Sequence, residues 1–168
     1  MHQLLRVSVG AAERVILWFL IRTYNNCFHC TIVSPSKNLM EIPKRRLPIA
    51  YIELIAVLAG FCVFSQSQKN TVVKLYTDNT DVVAWLQKSR CRAGLGFKIL
   101  SAIEYFKRSY QLKICTRHIP GKHNNTADLL SRGKIPSWLQ RYGIKREVNL
   151  KDLFRLIRNP LRFWIASK

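Results

Sequence analysis

Val72–Tyr76 is a short apolar, β-branched run, and Asp78 stands just past its end with Asn79-Thr80 behind it as a helix start. No other feature constrains the fold as much. It describes a strand that enters a helix through an acidic turn, the unit from which α/β sheets are built. Such sheets hold ligands outside the carboxyl ends of their strands. Gln111–His118 reads as a second strand, Pro120-Gly121 forces a turn, and Asn124–Arg132 opens a helix with Asp128 in its early turns. Asp78 and Asp128 therefore end consecutive β units, where a divalent metal can be shared between them.

The rest of the chain fills in a sheet. Met1–Ala12 has no firm pattern. Arg14–Arg22 is a continuous apolar run bounded by charges, which predicts a central strand covered on both faces. Thr23–Asn26 reads as a turn and Cys27–Val33 as the return strand of a hairpin. Leu39–Ile49 supplies a third, edge strand confined by Pro43 and Pro48. Tyr51–Ser65 is apolar nearly all round and predicts a buried helix with Glu53 in its first turn. An acid there gains from the helix dipole; it also stands in line with Asp78 and Asp128 as a site residue. Thr80–Lys88 is a helix with Val82, Val83 and Leu86 inward, Arg90–Gly96 a basic loop, and Phe97–Tyr110 an amphipathic helix. The order is β-β-β-α-β-α-α-β-α, an α/β fold with a mixed five-stranded sheet flanked by helices.

The T-D-N strand end, the I-P-G turn and the later A-D-L-L-S-R run resemble, in order and spacing, the RNase H domain of retroelement reverse transcriptases of the DIRS and gypsy kinds. Ile52–Val57 is similar to the family's helix carrying the second catalytic carboxylate. The resemblance runs from Pro48 to Arg132. It implies an RNase H-like fold and a site in which Glu53, Asp78 and Asp128 fill three of four carboxylate places around two Mg²⁺ ions, which activate water and stabilise the leaving oxygen. His123 lies where such enzymes carry a mobile histidine, although a plain helix-start residue accounts for it as well.

The first carboxylate place in the family belongs to an Asp in the middle of the first strand. Arg14–Val33 contains no Asp or Glu, and aligning Phe28 with the return strand's aromatic puts Arg22 at the Asp position. A guanidinium there removes a metal ligand and repels the ion, by several kcal/mol at close range with a dielectric near ~20. Glu13 and Glu41 lie elsewhere. The expectation is that Arg22 pairs with Glu53, Asp78 or Asp128 and that no cofactor is held; an active enzyme would instead need Mg²⁺.

Charge names the partner class. The 28 Lys and Arg against nine Asp and Glu leave a net charge of +19, which calls for a polyanion, foremost nucleic acid. RNA leads, as ribosomal RNA or an RNA–DNA hybrid. Candidate phosphate contacts are Lys44, Arg45, Arg46, Lys88, Arg90, Arg92, Lys98 and Lys122. No apolar run reaches the ~18 residues of a membrane span. Five scattered cysteines argue for a reducing compartment, and Cys27 with Cys30 lacks a second pair for zinc. Arg6, Arg14 and Arg22 with only Glu13 acidic also resemble a mitochondrial presequence.

Three segments follow: a lead-in at 1–13, the RNase H-like domain at 14–132, and a basic extension at 133–168. That extension holds nine Lys and Arg against Glu147 and Asp152, and a short helix carrying Leu153, Phe154 and Ile157. From Ile135 onward it is expected to dock on protein neighbours. The leading functional reading is a retroelement-derived RNase H-fold protein that binds nucleic acid without cleaving it, lodged in a large ribonucleoprotein such as an organellar (mitochondrial) ribosome. The alternative is an active Mg²⁺-dependent ribonuclease H acting on RNA–DNA hybrids.

Overall fold

A computed structural model describes residues 4–10, 17–22, 27–33, 48–64, 69–92, 94–125 and 143–149, together with Leu129, Ser137, Leu153, Arg155, Ile157 and Arg158. Six strands, β1 (Leu4–Gly10), β2 (Leu17–Arg22), β3 (Cys27–Val33), β4 (Val72–Thr77), β5 (Lys113–His118) and β6 (Gly143–Asn149), form one sheet in the order β5-β4-β1-β2-β3-β6. β1, β2 and β3 run antiparallel in sequence, while β4 lies parallel to β1, β5 parallel to β4 and β6 parallel to β3. Three helices, α1 (Ile49–Phe64), α2 (Thr80–Lys88) and α3 (Gly94–Ser109), complete the described elements.

The sheet is thus mixed and flanked by helices, and its strand list corrects the sequence reading in three places. The first strand is β1, inside the segment read as a lead-in. It alternates apolar Leu5, Val7 and Val9 with Arg6, Ser8 and Gly10, the pattern of a strand with only one face covered. The Arg14–Val33 hairpin supplies the second and third strands, not the first. The expected third strand, Leu39–Ile49, lies outside the described residues except for its end, where Ile49 begins α1. The sixth strand, β6, comes from the extension, whose charged residues disguise an edge strand paired along its whole length with β3.

α1 is buried because it has no polar side to expose. Leu54, Leu58 and Val57 are almost wholly covered, and α1 packs against α3 and over β1 and β2. α2 begins where Asn79 caps it, the side-chain oxygen accepting from the backbone N–H of Asp81 (3.0 Å) and Val82 (3.3 Å). It ends at Ser89, whose φ of 47° turns the chain out of the helix. Gly96 lets α3 approach α1 closely: a Cβ there would meet the Cys91 sulfur and stand 2.9 Å from Tyr51 Cε1. Leu153 and Ile157 join the same buried cluster as α1 and α3, at 1% and 4% exposure, so the extension contributes to the core rather than standing apart from it. Among the described residues no helix is long and apolar enough to cross a membrane.

Candidate functional site

The end of β4 gathers the polar groups. Thr77 is fully buried and its hydroxyl donates to Glu53 Oε2 at 2.8 Å. The Asn79 backbone N–H in turn donates to Thr77 Oγ1 at 3.1 Å. This chain fixes Glu53 against the carboxyl end of β4; because α1 begins at Ile49 rather than Tyr51, Glu53 lies past its first turn, not in it as the sequence suggests. Burial, opposed by the Thr77 hydrogen bond and reinforced by the charge of Asp78, pushes the Glu53 carboxyl up from 4.5 to about 7.

Asp78 is exposed and lies at the mouth of the sheet. Its Oδ1 accepts from Asn124 Nδ2 at 3.4 Å, and its backbone carbonyl lies 3.2 Å from His118 Nε2. The loop after β5 closes around it, with Ile119 N–H donating to Thr77 O at 3.0 Å. The loop comes close at Gly121, where a Cβ would stand 3.3 Å from Asp78 Oδ2 and the carboxylate would have to shift slightly. Glu53 and Asp78 thus lie near enough for the Asp78 charge to act on the Glu53 carboxyl. Asp128 lies outside the described residues, as do Lys44, Arg45 and Arg46. His123 and Lys122 are exposed in a tight turn over Gly121–His123, where the His123 N–H donates to Pro120 O.

Arg22 is the site residue the structure moves. It pairs in register with Arg6, which pairs with Lys74, four residues before Asp78. At about 3.3 Å per residue, that places it roughly 13 Å along the strands from the Asp78 level. The position level with Asp78 on β1 is Gly10, two residues beyond the Ser8–Tyr76 pair. By register Arg22 therefore stands on the second strand and not at the first-strand position level with Asp78. The misplacement follows from taking the longest apolar run for the first strand.

Thr77, Asn79, Asn124 and His118 escaped the sequence reading as site residues. Thr77 and Asn79 lie inside the T-D-N motif and His118 and Asn124 flank the I-P-G turn, but only the folded chain shows Thr77 and Asn124 on the carboxylates, Asn79 on Thr77 and His118 on the Asp78 backbone carbonyl. Lys88, Arg90, Arg92 and Lys98 are exposed around the α2–α3 connection. Glu104, which faces that connection, is occupied by Lys107 Nζ at 2.6 Å and by the Ser89 hydroxyl at 2.7 Å. Both contacts hold its carboxyl below the usual range, although burial works against them.

For two Mg²⁺ ions the described residues offer two carboxylates, and among them no group of three or more His, Cys, Asp or Glu is placed to hold a metal. The sequence of β1 adds none. Asp128 and Glu13 lie outside the described residues, so the donors on view are Glu53 and Asp78.

The sequence matches no protein-family model and no curated protein. Two solved structures share the architecture. RNase H1 from the halophilic archaeon Halobacterium salinarum NRC-1 superposes with a TM-score of 0.55 at 12% identity, over 77% of this chain and 94% of that one. LC11-RNase H1, solved in complex with an RNA/DNA hybrid, gives 0.52 at 18% identity over 82% and 99%. The chain has the RNase H fold.

Proposed function

We propose that this chain is a nucleic-acid-binding protein of the RNase H fold that does not cleave its ligand. The observation that carries the reading is β1, Leu-Leu-Arg-Val-Ser-Val-Gly, which brings Gly10 level with Asp78 and holds no acid. Glu53 and Asp78 are the remnant of a metal site, and the net charge of +19 supplies affinity for phosphate. The T-D-N, I-P-G and A-D-L-L-S-R run supports descent from a retroelement reverse transcriptase. The basic ends support a structural role in a large RNA–protein assembly, an organellar ribosome being the best fit, with a mitochondrial location.

One observation favours a second reading, a working ribonuclease H. Glu53 and Asp78 lie together at the carboxyl end of β4, and a neighbour of the same fold was solved with an RNA/DNA hybrid. One experiment separates the two. The intact protein is incubated with an end-labelled RNA–DNA hybrid in Mg²⁺ or Mn²⁺, and binding is followed between 50 and 200 mM salt. The expected result is no cleavage and an affinity that falls about 10³-fold across that range if six or more phosphates are engaged. Cleavage that disappears on Asp78→Asn establishes the enzyme instead. Affinity independent of salt removes both readings.

A further inference from the structure

The helices α1 and α2 pack on the sheet, and α3 packs on α1. Val73 and Leu75 of β4 share a buried cluster with side chains of α1, α2 and α3, and with Leu153 and Ile157. Alternate strand residues belong to the opposite face. On β4 and β5 these are Lys74 and Tyr76, both half-buried, and the exposed Lys113 and Arg117, with Tyr76 and Arg117 register partners. The row through Lys74 continues to Arg6 on β1 and Arg22 on β2. Lys145 of β6 is the register partner of His29 on this same face.

Charge is sorted between the two faces. On β4 and β5 this face carries Lys74, Lys113 and Arg117 and no acid, whereas the helix-side positions of the two strands carry no Lys or Arg. A sheet face that is merely solvated does not need this. Like charges at directly opposed positions destabilise a strand pair, and Arg6 has a cation as register partner on both sides. A polyanion laid across the strands reverses the sign of that interaction.

We propose that this face binds a single nucleic-acid strand, with phosphates on Lys74, Lys113 and Arg117 and an unpaired base on the Tyr76 ring. With strands about 4.8 Å apart, the Lys74–Arg6–Arg22 row spans roughly 10 Å, a length over which one strand offers several phosphates. Tyr76 selects single strands over duplexes, because a base pairs its face with an aromatic ring only when it is unstacked. The surface is separate from the Glu53–Asp78 cleft. It deepens the nucleic-acid-binding reading, on which it rests.

Lys113 and Arg117 are exposed on an edge strand, so the Lys113→Gln/Arg117→Gln chain folds, which its melting curve verifies. Binding of a short labelled single-stranded RNA and of an RNA–DNA hybrid is measured from 50 to 200 mM salt for this variant and the unchanged protein. Two lost phosphate contacts lower the slope of log affinity against log salt by about 1.4 for the single strand, with a smaller change for the hybrid. An unchanged single-strand slope overturns the surface while leaving the proposed function standing. Equal losses for both ligands overturn the preference for a single strand. An unchanged protein that binds neither ligand overturns the proposed function and this surface together.

Discussion

Replacing Glu53 by Gln tests the electrostatics of the site without removing its shape. Glu53 is 5% exposed, and its carboxyl titrates near 7 rather than at the 4.5 of an unhindered group. Between those values the unfolded chain has lost its proton while the folded chain still holds it. Folding therefore binds a proton, and stability falls as pH rises through this window. Each pH unit is worth about 1.4 kcal/mol, so the full interval comes to about 3 kcal/mol, complete once the pH passes 7. Glutamine keeps an acceptor for the Thr77 hydroxyl but has no charge to bury. Glu53→Gln should match the parent below pH 4.5 and exceed it by up to about 3 kcal/mol at pH 8. Urea unfolding at several pH values, with chelator present, reads the difference directly and cancels the histidines common to both proteins. Two curves that run parallel across the window, or a variant weaker than the parent at pH 8, would refute the assignment of buried charge to Glu53.

Gly96→Ala forces a methyl group against Tyr51 and Cys91 and should destabilise by about 1–3 kcal/mol, seen as a lower thermal midpoint. Leu153→Ala should cost about 2–5 kcal/mol if the extension belongs to the core; a chain ending at Gly133 should then lose its cooperative transition, and retention of that transition would show the extension to be dispensable. Asn79→Ala removes the cap of α2 and should cost about 1 kcal/mol in chemical unfolding.

What the sequence showed and hid has a physical pattern. α2 was legible because Asn79 is a strong cap and Val82 and Leu86 repeat at helical spacing, and β4 and β5 because their apolar runs end in unmistakable turns. Asp78 came with β4, and Glu53 with α1, a helix apolar nearly all round. β1 was missed because alternation over seven residues, with Arg6 in the middle, is a weak signal beside the apolar run of β2. That run, Leu17-Trp18-Phe19-Leu20-Ile21, is apolar at every position, which imitates a central strand. β6 was missed for the opposite reason, since Lys145, Arg146 and Glu147 read as solvated tail until β3 is there to pair them. Misplacing the first strand then carried Arg22 into the site by alignment alone.

The pairing of β3 with β6 also governs how the chain is made. β3 stays without its outer neighbour until residues near Gly143 have been synthesised, and β1 waits in the same way for β4. Closing such distant segments is slow, because chain entropy is lost before the contacts return anything. Throughout that interval the amino-terminal hairpin presents bare strand edges, and bare edges recruit other chains.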